Sequence, residues 1–211
     1  MNVVRAKAGV DIQMKSIFPS YEAIRSRLSI IISGEEYPNT MGYSPVPGLY
    51  LTFIAKAKND DKFSLCLPND FSEIYGMDAS QITTDVLNNL FKDKRPVLNL
   101  QATKIGNESI TMGARLGCVN DPYGAALMFT PGFADTISTV TEWDTFYIVP
   151  ESAEYVVLIP DKILGADFKE LGMSEQLLEM LHIRAKRNAV LADRLYYYDG
   201  EQITEIKEET V

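Results

Sequence analysis

The sequence predicts an α+β fold with a mainly antiparallel sheet and several separate helices packed on it. Short apolar segments joined by hairpin-like turns predict the sheet, and apolar residues spaced by three and four predict the helices. The chain has 211 residues, of which 46% are hydrophobic and 23% are charged. A chain of this size and composition can bury an ample core without a disulfide or a metal.

The N-terminal part is expected to be a helix followed by a proline-rich loop. After a possible N-cap at Ser20, apolar residues recur at helical spacing, namely Tyr21, Ile24, Leu28 and Ile31. Three prolines and two glycines then fall in the 14-residue stretch EEYPNTMGYSPVPG. We therefore expect residues 1–48 to be a helical segment with a loop, packed on an α+β domain at 49–211.

The middle of the chain is predicted to alternate between strands and helices. Two strands around a polar turn are predicted in LYLTFIAKAKNDDKFSLCLP. The segment that follows, NDFSEIYGMDASQITTDVLNNLF, predicts two helices separated at Gly76. Asp78 and Gln81 have the spacing of a capping box. Strands are expected at 97–104 and 109–119, then an apolar strand in YGAALMF. Thr130 followed by Pro131 is typical of a helix start.

The last third is predicted to contain two hairpins and one helix. FYIV and YVVLI are apolar at nearly every position, which favours strands covered on both faces, and PESAE between them suits a hairpin loop. SEQLLEMLHIRAKRN has a helical apolar stripe, and Asp199-Gly200 lies between two short strands.

The net charge of −9 is unevenly distributed along the chain. Residues 1–60 hold seven basic and five acidic side chains, whereas residues 61–211 hold 13 basic and 24 acidic ones. Such an acidic surface repels nucleic-acid phosphates and anionic membranes, so we expect neither as a direct ligand.

The two cysteines, Cys66 and Cys118, form no metal-ligand or CxxC spacing. The first residues lack the apolar core of a signal peptide, and no apolar run approaches membrane-spanning length. We therefore expect reduced, buried cysteines in a cytoplasmic protein, with no cofactor and no metal.

One stretch, residues 116–161, contains no lysine or arginine but has seven acids. It predicts either a solvated rim around the sheet or a surface for a basic protein partner. The residues expected to bind such a partner are Asp135, Glu142, Trp143, Asp144, Glu151 and Glu154. Trp143 is the only tryptophan, and the sequence favours a buried core position for it over an exposed anchor.

An alternative hypothesis is a small-molecule site or an enzyme active site near GARLGCVNDPYG. Its candidate ligand-binding residues combine backbone N–H groups with polar side chains, and they are Gly113, Arg115, Cys118, Asn120, Asp121 and Tyr123. The glycines lack the spacing of a phosphate-binding loop, and in strands they more often mark bulges or close backbone contacts.

The single histidine, His182, lies in a predicted helix beside its apolar stripe. No nucleophile is tied to it by a recognisable motif, and no second histidine completes a metal site. We expect a structural position, no catalytic residue and little effect of His182→Gln on activity.

Residues 65–203 resemble an uncharacterised domain family that is frequent on bacterial mobile elements. The similar pieces are PNDFSEIYGMDASQITTDVLNNL, YGAALMFTPGF, FYIVPESAEYVVLIP and AVLADRLYYYD. The family's last hairpin carries a His-Glu pair, which is replaced here by Glu154-Tyr155, while Ser152 matches.

The resemblance implies an accessory α+β protein in a setting where proteins that counter host defences are common. Together with the acidic stretch, it suggests a non-enzymatic inhibitor that binds a basic, nucleic-acid-handling defence enzyme.

Overall fold

The computed structural model describes residues 2–4, 11–57, 63–93, 96–105, 108–118, 123–164 and 191–206. It confirms the α+β class with mainly antiparallel sheets. Within the described residues, no helix is long and apolar enough to cross a membrane.

The first sheet has five strands, ordered β1-β5-β4-β2, with β3 also paired to β4. All pairs are antiparallel except β1–β5. The strands are β1 (Asn2–Val4), β2 (Leu28–Ser33), β3 (Gly42–Val46), β4 (Leu49–Lys56) and β5 (Phe63–Cys66). The helices of this half are α1 (Asp11–Ile17), α2 (Tyr21–Arg25), α3 (Phe71–Tyr75) and α4 (Ala79–Asp93).

The second sheet has six strands, all antiparallel, in the order β11-β10-β8-β9-β7-β6. The strands are β6 (Pro96–Ile105), β7 (Glu108–Cys118), β8 (Phe146–Val149), β9 (Tyr155–Pro160), β10 (Tyr196–Tyr198) and β11 (Ile203–Glu205). The helices of this half are the 3₁₀ helix η1 (Gly124–Phe129), α5 (Phe133–Thr141) and the short α6 (Asp161–Leu164).

Several predicted elements are confirmed. The hairpins β8–β9 and β10–β11 and the strand pair β6–β7 form where the sequence predicts them. Gly76 ends α3 in the left-handed conformation, and Asp78 Oδ1 accepts the backbone N–H of Ser80 at the start of α4. Helix α5 begins at Phe133, slightly after the predicted start.

Three predicted elements are wrong. The proline-rich stretch at 35–48, expected to be a loop, contains strand β3, which pairs with β4. The N-terminal helix ends at Arg25, and the rest of its apparent stripe forms the buried strand β2, whose run of three isoleucines favours extended backbone. YGAALMF forms the buried helix η1 and not a strand. A short run that is apolar at every position has no periodicity to separate a strand from a helix.

One buried cluster joins the two sheets. It contains Phe53 and Leu51 from β4 together with Phe146 and Ile148 from β8. The hydroxyl of Tyr196 also donates to Pro47 O at 2.6 Å, which links the second sheet to the turn before β4. Strand β2 pairs with β4, so the expected division at residue 48 passes through the first sheet.

A partly buried polar network joins helix α4 to α2 and to the start of β2. The Asp85 carboxylate accepts a hydrogen bond from Tyr21 Oη at 2.8 Å and one from Arg25 Nη2 at 2.8 Å. The Asn89 side chain donates to the carbonyl oxygens of Arg25 and Leu28. These bonds satisfy carbonyl groups between α2 and β2, where the chain turns from helix to strand.

Candidate functional site

The β8–β9 hairpin separates the predicted acidic residues into two groups. Phe146 of β8 lies opposite Pro160 of β9, and Val149 lies opposite Val157. Glu151 and Glu154 therefore occupy the loop that joins the strands, whereas Asp144 precedes β8 at the opposite end. The expected single acidic surface is thus divided between two ends of the hairpin.

One group, from α5 and the link to β8, is joined by two further acids from the β10–β11 hairpin, and we call this surface the acidic end. Its five members are exposed carboxylates, namely Asp135, Glu142, Asp144, Asp199 and Glu201. Burial is the first cause that raises the pKa of Tyr198, and the negative charges of three of these carboxylates add to it. Those three are Asp135, Asp199 and Glu201.

Local backbone geometry fixes the acidic side chains at this end. Glu142 caps the C-terminus of α5 in the left-handed conformation, with φ of 59°, and its N–H donates to Ser138 O. Ser138 Oγ also lies 3.4 Å from Asp144 Oδ1. In the β10–β11 turn, Asp199 Oδ1 accepts the N–H groups of Glu201 and Gln202, each at 2.9 Å.

A cleft of about 490 Å³ opens beside the acidic end. Its apolar lining includes Phe129, Phe133 and Tyr198, and its rim includes Asp135 and Glu201. None of the described residues that line it is basic. An apolar floor with a carboxylate rim suits the long hydrocarbon stem and charged head of a lysine or arginine side chain.

Trp143 does not belong to this surface. Its side chain is 4% exposed and packs in the main buried cluster, which confirms the core position that the sequence favours. Trp143 therefore packs in the core, and it is not exposed for the expected contact with a partner.

At the opposite end of the β8–β9 hairpin, an ion pair neutralises one of the two acidic side chains. Arg115 on β7 forms two hydrogen bonds with Glu151, Nε to Oε2 at 2.6 Å and Nη2 to Oε1 at 2.9 Å. The Arg115 guanidinium also lies over the ring of Tyr155, 3.9 Å from its centroid. Glu151 is thus engaged within the fold, and Glu154 is the exposed carboxylate of this loop.

The described residues of the alternative site, near 113–124, make contacts within the fold. Arg115 is already paired, and the thiol-bearing Cys118 is buried. Tyr123 packs against the cluster of Ile31 and Cys66 on the first sheet. Asn120 and Asp121 lie outside the described residues.

The glycines of this segment mark close backbone contacts, as the sequence predicts. A Cβ atom on Gly113 would lie 2.8 Å from Leu158 O, and a Cβ on Gly117 would overlap the ring of Tyr155. The β6–β7 register also shifts next to Gly113, which leaves Met112 as the extra residue of a β-bulge.

A second cleft, of about 880 Å³, is lined by residues 33–38, Gly48 and 191–194. Neither cleft includes Gly113, Arg115, Cys118 or Tyr123. In the described part of the chain, no three His, Cys, Asp or Glu side chains converge to hold a metal ion. His182 and its predicted helix lie outside the described residues.

The sequence did not reveal Asp199 and Glu201 as members of the acidic end. Asp199-Gly200 does predict the hairpin turn, but only the strand order places β10 beside β8 and thus beside Asp144. Comparison with family models, curated proteins and solved structures finds no match to the chain. The resemblance to the mobile-element family therefore stays a prediction.

Proposed function

We propose that this protein is a non-enzymatic interaction protein whose acidic end binds a basic segment of a protein partner. The observation that carries the proposal is a surface with five exposed carboxylates, two of which, Asp135 and Glu201, line an open cleft. Three of the five come from α5 and the adjoining link to β8, and the other two come from the β10–β11 hairpin, which is distant in sequence.

The charge of this surface favours a basic partner. Carboxylates of one sign focus an attractive field, which raises the rate of encounter with a basic protein and rejects acidic ones. The cleft adds specificity, because its apolar floor can bury the stem of a lysine or arginine while Asp135 and Glu201 face the charged head. A cation near the ring of Tyr198 would gain a further cation–π attraction.

The expected setting follows from the resemblance to the mobile-element family. In that setting, we propose that the protein acts in the cytoplasm as an inhibitor of a host defence enzyme that handles nucleic acid. The acidic end would occupy the enzyme's phosphate-binding channel in place of the nucleic-acid backbone, whose charge it imitates.

The test compares two variants with equal changes in net charge. One reverses Asp135, Asp144 and Glu201 to lysine at the acidic end, and the control reverses Glu35, Glu36 and Glu73, which are exposed elsewhere. Immobilised wild type and both variants are incubated with host extract, and the bound proteins are identified by mass spectrometry.

We expect a stoichiometric basic protein on wild type and on the control, and its loss from the acidic-end variant. Its binding to wild type should weaken as salt increases, because exposed charges are screened. Equal retention by both variants, or no stoichiometric partner on wild type, would refute the proposal.

A further inference from the structure

Strand β6 forms one edge of the six-stranded sheet, as the described residues show it. Among the described strands it pairs only with β7, over all ten of its residues. An edge strand of an antiparallel sheet presents alternate N–H and C=O groups that have no partner on their outer side. Three consecutive residues near its middle, Asn99, Leu100 and Gln101, are exposed.

On one face of β6, one leucine packs against the core and the next leucine is exposed. Leu98 lies opposite Leu116 and packs against the main buried cluster. Leu100 is the next residue on the same face, opposite Ala114, yet it is 51% exposed. Strand β9 covers β7 only from Ala114 to Gly117, so the rest of the β6–β7 hairpin extends beyond the sheet.

The central stretch of this edge lacks the features that usually prevent strand pairing. Protected edges carry charged side chains or an internal proline. Residues 97–103 of β6 have the sequence VLNLQAT, which contains neither, whereas Pro96 and Lys104 lie at either side of this stretch. A seven-residue uncharged stretch of an edge strand, with an exposed leucine in it, is a template for pairing with another strand.

We propose that β6 pairs antiparallel with β6 of a second copy of the chain, around a two-fold axis at Leu100. In this register Leu100 lies opposite its own copy, and Asn99 lies opposite Gln101. One face of the pair is then apolar and the other has amide side chains opposite each other, which can exchange hydrogen bonds. A two-fold interface requires this self-complementarity, and the sequence around Leu100 provides it.

The net charge of −9 does not prevent this association. The acidic β10–β11 hairpin lies at the opposite edge of the same sheet, four to five strands from β6. At about 4.8 Å per strand that is roughly 20 Å, more than two Debye lengths of about 8 Å at physiological salt. The two acidic ends therefore lie far from the axis, and the dimer does not depend on their function.

The first test is the mass of the full chain in solution, measured by sedimentation equilibrium over a dilution series. We expect wild type to approach twice the 23.6 kDa chain mass as concentration rises. Leu100→Lys places two like charges at the axis and should leave a folded monomer of 23.6 kDa, with unchanged far-ultraviolet circular dichroism. Val140→Lys, at another exposed apolar position on α5, is the matched control and should remain dimeric.

The second test fixes the register by oxidation with diamide. Leu100→Cys should form a disulfide-linked dimer, because directly opposite Cβ atoms lie about 4.5–5.5 Å apart. Asn99→Cys should cross-link more slowly, because its own copy lies on the diagonal at roughly 7–8 Å. A wild type that stays monomeric throughout, or a dimer that Leu100→Lys leaves intact, would overturn the proposal, and faster cross-linking through residue 99 would overturn the register.

Discussion

Arg115 and Glu151 form a bidentate ion pair that joins β7 to the loop between β8 and β9. The Glu151 side chain is only 12% exposed, and the ring of Tyr155 covers one face of the guanidinium. Two parallel charge-assisted hydrogen bonds with this geometry are stronger and more directional than an exposed ion pair. The pair therefore orders the loop that the sequence alone presents as part of an acidic surface.

We expect Arg115→Ala to lower the free energy of unfolding by about 2–3 kcal/mol, because it leaves a largely buried carboxylate without its partner. Arg115→Lys should cost about 1 kcal/mol, since one donor and the planar stacking are lost. Urea denaturation at neutral pH measures both. The control is Glu154→Gln in the same loop, which should change stability by less than about 0.5 kcal/mol. If Arg115→Ala is as mild as this control, the ion pair does not stabilise the fold.

The Asp85 network predicts loss of stability in acid. Burial alone would raise the pKa of Asp85, but the hydrogen bonds from Arg25 and Tyr21 outweigh it, and the pKa is lowered. A carboxyl group whose pKa is lower in the folded state stabilises the fold above its unfolded pKa of about 3.9. That contribution disappears as pH falls from there through the lower folded pKa.

We therefore expect Asp85→Asn to reduce the free energy of unfolding by about 1–3 kcal/mol at pH near 7, and by less as the pH is lowered. The measurement is urea denaturation of wild type and variant at several pH values. Glu36→Gln, at an exposed position, serves as the control with a small effect throughout. A wild-type advantage that grows in acid would contradict the assignment.

Two buried tyrosines predict a loss of stability in alkali, whereas the Asp85 network predicts one in acid. Burial raises the pKa of Tyr196 above its ordinary value of 10.0, and burial with the Asp85 hydrogen bond raises the pKa of Tyr21. Their neutral forms stabilise the fold below pH 10, and this contribution is lost as pH rises through the folded values. Absorbance at alkaline pH should show tyrosines that ionise only together with unfolding. Tyr196→Phe should remove one of them, whereas a titration that is complete in the folded protein would contradict burial.

The secondary structure could be predicted where a local signal is strong. Asp199-Gly200 identifies its hairpin, and Gly76 identifies a helix end, because both conformations depend on residues close in sequence. Strand β2 was missed because the spacing of Leu28 and Ile31 also fits a helix, and only pairing with β4 decides between them.

The candidate site was predicted only in part, for a related reason. The deficit of basic residues correctly marks Asp135, Glu142 and Asp144 as exposed carboxylates. The sequence cannot show that a four-residue strand places Glu151 at the other end, or that Arg115 from β7 reaches it. Both facts depend on strand order and register, which arise from non-local contacts.

Gly124 begins η1 at a point where two other backbone segments approach it. A Cβ atom there would lie 2.5 Å from Glu154 O and 2.6 Å from Cys118 N, and neither backbone atom can move easily. We expect Gly124→Ala to lower the free energy of unfolding by about 2–3 kcal/mol through overpacking. Gly76→Ala has open space but a left-handed backbone, with φ of 62°, and should cost about 1 kcal/mol. Thermal denaturation of both variants gives the comparison, and the reverse order would show that η1 adapts to the added methyl group.

The last prediction uses Trp143 as a reporter of the division between the core and the acidic end. The indole is buried and has Glu142 and Asp144 on either side in sequence, both of which are exposed. Its fluorescence should therefore resist quenching by the neutral quencher acrylamide in the folded protein and become accessible on unfolding in urea. Use of a neutral quencher matters, because nearby carboxylates repel iodide whether or not the ring is buried. Reversing Glu142 and Asp144 to lysine should leave acrylamide quenching of the folded protein unchanged, and it should strengthen iodide quenching only after urea has exposed the ring. Strong acrylamide quenching of the folded protein would show that Trp143 is exposed, and it would restore this residue as a candidate contact for the basic partner.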